Sequence, residues 1–292
     1  MQSSTAHSID GRPTEKPGTA RNRPNSFLDG LRLDHGPIAE IGRFLLTAEA
    51  TVRALGITLS FARTSELQEL QEKNAASWPL LAPWMNGKFS PLDDENSYCL
   101  LGRNATGRLV ASQGGRIYRL GQRSLRDIVD DHSLIYGRPV QPQGRDPHVK
   151  LAAPAAGQLT GTIVYSGALW VAPEHRGNKL AALLPRISRA YALGRFGTET
   201  TFCVVSDQIA ASPLFAMYGY TLREPGFSLW EGPDQVYTAS LLWMPEAQLV
   251  ADMTATRERL IAQVDGAVRS GGRNNELRAA GERDRERRAG VA

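Results

Sequence analysis

The residues with the clearest chemical potential lie in one segment, which runs from Leu169 to Leu184 and reads L-W-V-A-P-E-H-R-G-N-K-L-A-A-L-L. An apolar, strand-like run enters a turn with Arg176 and Gly177, and a helix-like apolar pattern follows. At such a junction the free backbone N–H groups and the positive end of the helix dipole point the same way. Gly177 lets an anion approach the backbone, and Arg176 and Lys179 add positive charge. The segment therefore predicts a phosphate or pyrophosphate site, with an ordinary strand-to-helix turn bearing surface cations as the alternative.

The elements around this segment follow from hydrophobic periodicity. Apolar residues at three- and four-residue spacing predict a helix over 38–55 and another from Leu180 to a closing Gly194. Ser65 and Gln68 form a capping-box pattern that predicts a further helix start. Alternating or continuous apolar runs predict strands at 57–61, 98–101, 108–120, 162–171, 202–205, 227–230 and 236–244. A short helix at 214–218, closed by Gly219, completes the order.

One folded domain is predicted over 27–256, with the helix at its N-terminal end as an addition to it. Residues 1–26 are rich in Ser, Thr, Pro, Gly and charge, which predicts a disordered arm, and residues 257–292 form a charged tail. Inside the domain, 121–161 is a long insertion with several prolines and a short acidic helical piece. Connections of that length in a compact domain are usually functional or mobile.

The charge of the chain does not favour nucleic-acid binding. The 292 residues carry a formal net charge of +4, but 1–26 contribute +2 and 257–292 contribute +3, which leaves −1 for the body. A surface that follows a phosphate backbone needs positive charge clustered on the fold. No apolar run reaches the roughly 18 residues that a membrane helix needs, so no membrane partner is expected.

The two cysteines, Cys99 and Cys203, lie inside apolar strand-like runs, which predicts buried small side chains rather than a disulfide. Such usage is typical of a reducing compartment, and we expect a cytoplasmic protein. His132 and His148 have no carboxylate or cysteine partner at ligand spacing, so no metal is expected.

The strand–turn–helix segment resembles motif A of the GCN5-related N-acetyltransferase (GNAT) superfamily, whose signature R/Q-x-x-G-x-G/A follows a strand that ends in V-x-P. Val171-Ala172-Pro173 precedes Arg176, and Ala181 matches the last position, whereas Lys179 stands where the signature has its middle Gly. Residues further along fall where the family shows N-x-x-A-x-x-L-Y followed by G-F: they are Gln208, Ala211, Leu214, Phe215 and Gly219-Tyr220. The resemblance extends over about 57–244.

The resemblance implies an α/β fold with a mixed, mostly antiparallel sheet flanked by helices, splayed between the strands that end at Val171 and Val205. An acyl-CoA, most simply acetyl-CoA, would enter the splay with its pyrophosphate on the turn and its pantetheine arm paired to strand backbone. A small-molecule amine would attack it directly from the opposite side in a ternary complex. The implied CoA-binding residues are Leu169, Trp170, Val171, Arg176, Gly177, Asn178, Lys179, Leu180, Ala181 and Gln208.

The family's catalytic positions match only in part. Its strand Glu or His falls on Tyr165, which is a poor base with a reference pKa near 10, so this residue would orient the amine or act through water. The usual general-acid Tyr falls on Phe215, which holds no acidic proton, and Tyr218 is the candidate to replace it. Packing is the alternative role for both tyrosines. The acidic run in the insertion, which includes Asp127 and Asp131, either favours a cationic substrate or forms a solvated face.

Two functions therefore stay open: an acetyl-CoA-dependent N-acyltransferase, and a non-catalytic acyl-CoA-binding or regulatory module. The replacements at Lys179, Gln208 and Phe215 motivate the second. The oligomeric state also stays open between a monomer and a homodimer.

Overall fold

The computed structural model describes residues 26–78, 81–212, 214–231 and 235–263, which form a mixed sheet flanked by helices. Its strands are β1 (Ile57–Ala62), β2 (Ser97–Asn104), β3 (Leu109–Arg119), β4 (His148–Leu151), β5 (Thr162–Val171), β6 (Thr200–Ser206), β7 (Leu222–Trp230) and β8 (Val236–Pro245). Its helices are α1 (Ile38–Ala54), α2 (Glu66–Lys73), α3 (Leu125–Asp130), α4 (Ser133–Tyr136), α5 (Leu180–Phe196), α6 (Asp207–Ala210), α7 (Leu214–Met217) and α8 (246–263).

The sheet has the order β1-β2-β3-β5-β6-β8-β7-β4, and β5–β6 is its parallel pair among antiparallel neighbours. The β5–β6 pairing extends only from Ile163↔Thr200 to Tyr165↔Phe202, although β5 continues to Val171 and β6 to Ser206. Beyond Tyr165 the two strands therefore diverge. The predicted fold class, a mixed and mostly antiparallel sheet splayed between these two strands, is confirmed.

A bulge in β5 lies beside the splay. The register between β3 and β5 shifts between Ser112 and Gly114, and Ala168 opposite has a left-handed φ of 55°. The hydroxyl of Ser112 donates to the carbonyl oxygen of Ala168 at 2.7 Å. Bulges bend a strand and redirect its side chains, so this one shapes the wall of the splay.

Helix α5 packs on the sheet and is held to α8 by buried charge. Arg189 has no exposed side-chain surface and Arg186 has 8%; both contact Asp252 of α8, at 3.5 and 2.9 Å. The guanidinium of Arg189 also lies over the ring of Tyr220, 4.7 Å from its centroid. Because two buried cations share one carboxylate, α5 and α8 depend on each other for compensation of charge.

One predicted helix boundary was wrong, and one predicted helix start lacks the cap that the sequence pattern indicated. Helix α5 does not close at Gly194; it ends at Phe196, and Gly197 supplies the left-handed cap with φ of 64°. Gly194 is instead buried within the helix, where a Cβ would overlap the side chain of Leu33. Ser65 precedes α2, but its side chain makes no capping hydrogen bond.

A capping box does occur elsewhere, at the start of α3. The Ser124 hydroxyl accepts from the N–H of Asp127, and the Asp127 carboxylate accepts from the N–H of Ser124. The insertion 121–161 is therefore more ordered than its composition suggests. It also contains β4, which pairs with β7 from His148↔Trp230 to Leu151↔Phe227 and forms an edge of the sheet.

The C-terminal boundary also lies further along than predicted. Helix α8 continues through residue 263, and Thr256 is buried within it, so 257–263 belong to the fold rather than to a tail. Residues 1–25 of the predicted arm and 264–292 of the predicted tail lie outside the described residues. In the part of the chain that is described, no helix is long and apolar enough to cross a membrane.

Candidate functional site

The turn between β5 and α5 presents a row of free backbone donors. After a single turn of 3-10 helix at Pro173–His175, Gly177 has φ of 85° and Lys179 has φ of 67°, and α5 begins at Leu180. The five N–H groups of residues 177–181 donate no hydrogen bond to any described residue. A Cβ added at Gly177 would meet no atom within 4 Å, so the space in front of the turn is open. The arrangement suits an anion with several oxygens.

Lys179 keeps the backbone conformation that glycine would adopt. It is the residue before α5 and lies in the left-handed region, with φ of 67° and ψ of 5°. For a residue with a Cβ this conformation costs about 1 kcal/mol or more. The chain therefore retains a glycine-type turn at the position where the motif A signature has Gly, and adds an ammonium there.

Arg176 is directed away from the row of free donors. Its Nε donates to the carbonyl oxygen of Val171 at 3.1 Å, and its Nη2 donates to that of Ser77 at 3.4 Å. The guanidinium group of Arg176 therefore links the turn to the end of β5 and to Ser77.

A groove of about 520 Å³ adjoins the start of α5. We call it the helix-start groove, and its walls come from α1, α5 and α8. Lys179 and the α8 residue Arg259 line it, and neither forms an ion pair with a described carboxylate. The amide oxygen of Asn178 is buried there without a described partner. Further lining residues are Thr51, Leu55, Gly177, Leu183, Arg186, Thr256, Leu260 and Gln263.

Two cavities open on either side of the splay. The small cavity, about 150 Å³, lies toward α5, and the large cavity, about 660 Å³, lies toward Trp78 and Trp84. Both share the walls Tyr165, Ala168, Leu169, Val204 and Val205. The small cavity adds Gln113, Ser166, Pro185, Cys203, Tyr218 and Tyr220. The divergence of β5 and β6 thus connects a site on the helix side with a site on the opposite side.

The structure brings the two candidate catalytic tyrosines to the same small cavity. Tyr165 is buried, with its ring 5.3 Å from that of Trp84 and 5.6 Å from that of Phe202. Burial raises the pKa of Tyr165 well above its usual value, so its hydroxyl stays protonated. Tyr218 is half-buried, and burial raises the pKa of Tyr218 as well. Both can donate a hydrogen bond near neutral pH, and neither is a base there.

Cys203 lines the small cavity as a neutral thiol. Burial raises the pKa of Cys203 to about 12. Since the thiolate is the nucleophilic form, this residue is poorly suited to form a covalent intermediate. Both cysteines are free and buried, as predicted.

The remaining predicted CoA-binding residues have different surroundings. Leu169 lines both cavities, while Trp170 stacks on Trp78 at 5.0 Å between ring centroids and donates from Nε1 to the hydroxyl of Ser77. Gln208 is exposed on α6 and lines neither cavity nor the helix-start groove. Phe215 lies under the guanidinium of Arg223, 5.1 Å from its ring centroid.

The acidic run of the insertion does not face the splay. Asp127 caps α3, and Asp131 binds Arg123 and the backbone and side chain of Ser133. These carboxylates stabilise their own segment. Among the described residues, the carboxylate that lines the large cavity is Glu231, directly after β7, which sequence analysis missed because no motif or periodicity distinguishes it.

We call the end of β5, the turn at 172–179 and the first turn of α5 the cradle. The splayed α/β sheet, with the cradle beside the splay, has the GNAT-like arrangement that the motif resemblance implies. No protein-family model matches the chain, and no curated protein matches it in sequence. Solved structures similar to it include the spermidine/spermine N-acetyltransferase SpeG from Vibrio cholerae, with 10% identity and a TM-score of 0.40 over 68% of this chain and 98% of that chain.

Two other similar structures are Arabidopsis thaliana NAA60 in complex with acetyl-CoA and a putative acyl-CoA N-acyltransferase from Klebsiella pneumoniae. The first has 15% identity and a TM-score of 0.40, over 65% of this chain and 99% of that chain. The second has 15% identity and a TM-score of 0.35, over 65% and 97%. Similarity at this level gives no ground for transferring a substrate or a mechanism, so the function depends on the geometry of the site.

Proposed function

We propose that this protein is an acyl-CoA-dependent N-acyltransferase that transfers acetyl from acetyl-CoA to a small-molecule amine. The observation that carries the proposal is the row of five free N–H groups at 177–181, directly beside the divergence of β5 and β6. The first feature suits a diphosphate, and the second suits a narrow, extended arm that ends in a thioester. CoA joins these two chemistries in one molecule.

In this proposal the diphosphate of CoA accepts hydrogen bonds from residues 177–181. The nucleotide part lies in the helix-start groove, where Lys179 and Arg259 offer positive charge to its phosphates. The pantetheine arm pairs with β5 beyond Tyr165, where the edge of the strand that faces β6 has no strand partner. The acetyl group then reaches the wall that the small and large cavities share.

The transfer would be direct. The neutral amine nitrogen attacks the thioester carbonyl carbon, the N–C bond forms, the C–S bond breaks, and the nitrogen loses one proton while the sulfur gains one. Tyr218 lines the small cavity and keeps its proton near neutral pH, which supports a role as the acid that protonates the sulfur. Tyr165 would orient the amine by a hydrogen bond. The neutral Cys203 thiol favours direct attack over a covalent enzyme intermediate.

The first test compares two glycines that share the same backbone constraint. Gly177 and Gly107 have φ of 85° and 82°, and a Cβ at either would meet no neighbouring atom. The variants Gly177→Val and Gly107→Val therefore pay a similar conformational cost, but only the first places a side chain over the free N–H groups. We expect Gly177→Val to weaken CoA binding at least tenfold in calorimetry, with Gly107→Val near wild type. Equal affinities for all three proteins would mean that the diphosphate binds elsewhere.

The second test concerns chemistry, followed as free thiol released from acetyl-CoA with a panel of amines. We expect Tyr218→Phe to lower kcat by roughly 100-fold, a typical loss for a general acid, while the Kd of acetyl-CoA stays unchanged. A decrease in the affinity for acetyl-CoA equal to that in kcat would assign Tyr218 to packing instead.

One observation favours a second candidate, a non-catalytic acyl-CoA-binding module. The small cavity has no histidine or carboxylate among its described lining residues, and Phe215 holds no acidic proton. Micromolar CoA binding with no thiol release for any amine would select this function.

A further inference from the structure

The large cavity is a mostly apolar site with aromatic walls. Its approximately 660 Å³ fall within the range of small-molecule sites. The rings that form it are held by their neighbours: Trp84 contacts Tyr165 and Phe227 edge to face, and Trp78 lies parallel to Trp170. Trp78 and Trp84 are each only 2% exposed. Rings that are already fixed lose little freedom when a ligand binds, so this cavity is preformed for an apolar body.

Glu231 is the one carboxylate among the described residues that line the cavity, where the residues with hydroxyl groups are Tyr165, Ser206, Tyr237 and Thr238. Its carboxylate forms no hydrogen bond or ion pair with any described residue. Burial alone raises the pKa of Glu231, because no described cation offsets the loss of hydration. The other titratable side chains that line the cavity are Tyr165 and Tyr237, and neither carries positive charge. A carboxylate in this condition gains from a ligand that brings a cation to it.

Strand register places Glu231 far from the splay. Ala239 of β8 pairs with Ser206, the last residue of β6, and on its other side with Phe227 of β7. Phe227 therefore lies level with the end of β6. Glu231 follows Phe227 by four residues, and four residues of extended chain span about 13 Å, so Glu231 lies about that far beyond the end of β6. The shared wall at Val204 lies on the opposite side of Ser206. The cavity is therefore long, with the proposed reaction point at one end and the carboxylate of Glu231, which has no described partner, at the other.

We propose that the large cavity binds an elongated acceptor amine with an apolar middle and a second cationic group at its far end, which Glu231 binds. This inference rests on the proposed function, since it takes the splay as the point of attack. The reacting nitrogen must be neutral, so it does not need a carboxylate beside it, whereas the distal ammonium keeps its charge throughout the reaction. One carboxylate among the described lining residues fits one such cation; further charges along the chain of the ligand would find no described partner.

The test uses straight-chain α,ω-diamines of increasing length and monoamines of equal length, with calorimetry in the presence of CoA and thiol release from acetyl-CoA. For the wild-type protein we expect diamines to bind at least tenfold more tightly than matched monoamines, and only above a threshold length that spans the cavity. Glu231→Gln should remove this preference and leave the binding and turnover of monoamines unchanged. Asp130→Asn, an exposed carboxylate of the insertion, is the matched control and should keep the preference.

Two outcomes would overturn the inference. One is that the wild-type protein binds diamines no more tightly than monoamines at any length, and the other is that Glu231→Gln loses affinity equally for monoamines and diamines. The failure of the proposed function has a different signature, because then no amine releases thiol. In that case the binding comparison still decides the role of Glu231. Melting curves of both variants at the assay pH establish that each is folded.

Discussion

Lys179 offers the most direct test of the cradle, because its backbone and its side chain make separate contributions. The residue lies in the left-handed region with φ of 67°. Lys179→Gly removes a conformational cost of about 1 to 2 kcal/mol in the native state, and adds about 0.5 to 1 kcal/mol of unfolded-state entropy. The net expectation is a stabilisation of about 0.5 kcal/mol. Lys179→Ala keeps the cost and should be close to wild type in stability.

Both variants remove the same ammonium. A single exposed cation beside a diphosphate contributes roughly 1 kcal/mol, so we expect both variants to bind CoA about fivefold more weakly than wild type. The difference in CoA affinity between wild type and the variants should become smaller as the salt concentration rises, since Lys179 is exposed and its charge is screened. Lys179→Arg keeps both the charge and the strain, and should match wild type in both measurements.

The assays are urea unfolding for the free energy of unfolding and calorimetry with CoA at low and high salt. Equal free energies of unfolding for Lys179→Ala and Lys179→Gly would contradict a backbone cost at this position, because the two variants differ in their tolerance of the left-handed conformation. Wild-type affinity for CoA in both variants at low salt would contradict a role of the ammonium in binding. The two outcomes are independent, since one concerns unfolding and the other concerns the ligand.

Three further predictions concern stability and are checked by thermal or urea unfolding. Asp252→Asn leaves the fully buried Arg189 without its carboxylate and should cost about 3 kcal/mol. Gly194→Ala should destabilise the protein by about 1 to 3 kcal/mol, because its Cβ would overlap the side chain of Leu33. Gly42→Ala, which has open space around it in α1, should stabilise the protein by about 0.5 to 1 kcal/mol. Burial raises the folded-state pKa of Glu231, so stability is lost as pH rises through that pKa; Glu231→Gln should therefore match wild type in acid and exceed it at neutral pH.

The order of the strands and helices could be predicted because periodic burial leaves a periodic sequence. Ile57, Leu59 and the residues of β5 alternate or run together because they face a core, and the same constraint spaces the apolar face of α1. The short strand β4 could not be predicted in this way. Four residues among prolines carry too weak a pattern, and β4 is a strand because β7 offers it a paired edge.

Glycine gave ambiguous signals for a physical reason. The same residue type marks a left-handed cap, as at Gly197, and a close approach of another chain segment, as at Gly194. Only the neighbours in space distinguish the two causes. The capping-box pattern at Ser65 failed as a cap, because Ser65 adopts a helical backbone conformation instead of the extended one that a capping residue needs.

The candidate site has one part that the sequence predicts and one part that it does not. The cradle could be predicted because it is local: a strand, a turn and the first helical turn are contiguous in sequence. The acceptor side could not, because Trp84, Val205 and Glu231 come from three distant segments. Whether Glu231 has a partner depends on what surrounds it in space, and a single sequence does not record those surroundings.

The helix-start groove joins parts of the chain that are far apart in order of synthesis. Thr51 comes from α1 and Leu55 is the residue that follows that helix, whereas Thr256 and Arg259 come from α8, about 200 residues later. The groove therefore exists only after α8 has docked on α5 through Asp252. If the groove binds the nucleotide part of CoA, as proposed, a nascent chain can do so only after those helical residues have left the ribosome. Retention on an immobilised nucleotide would then report completed folding, and would separate finished molecules from partly folded ones.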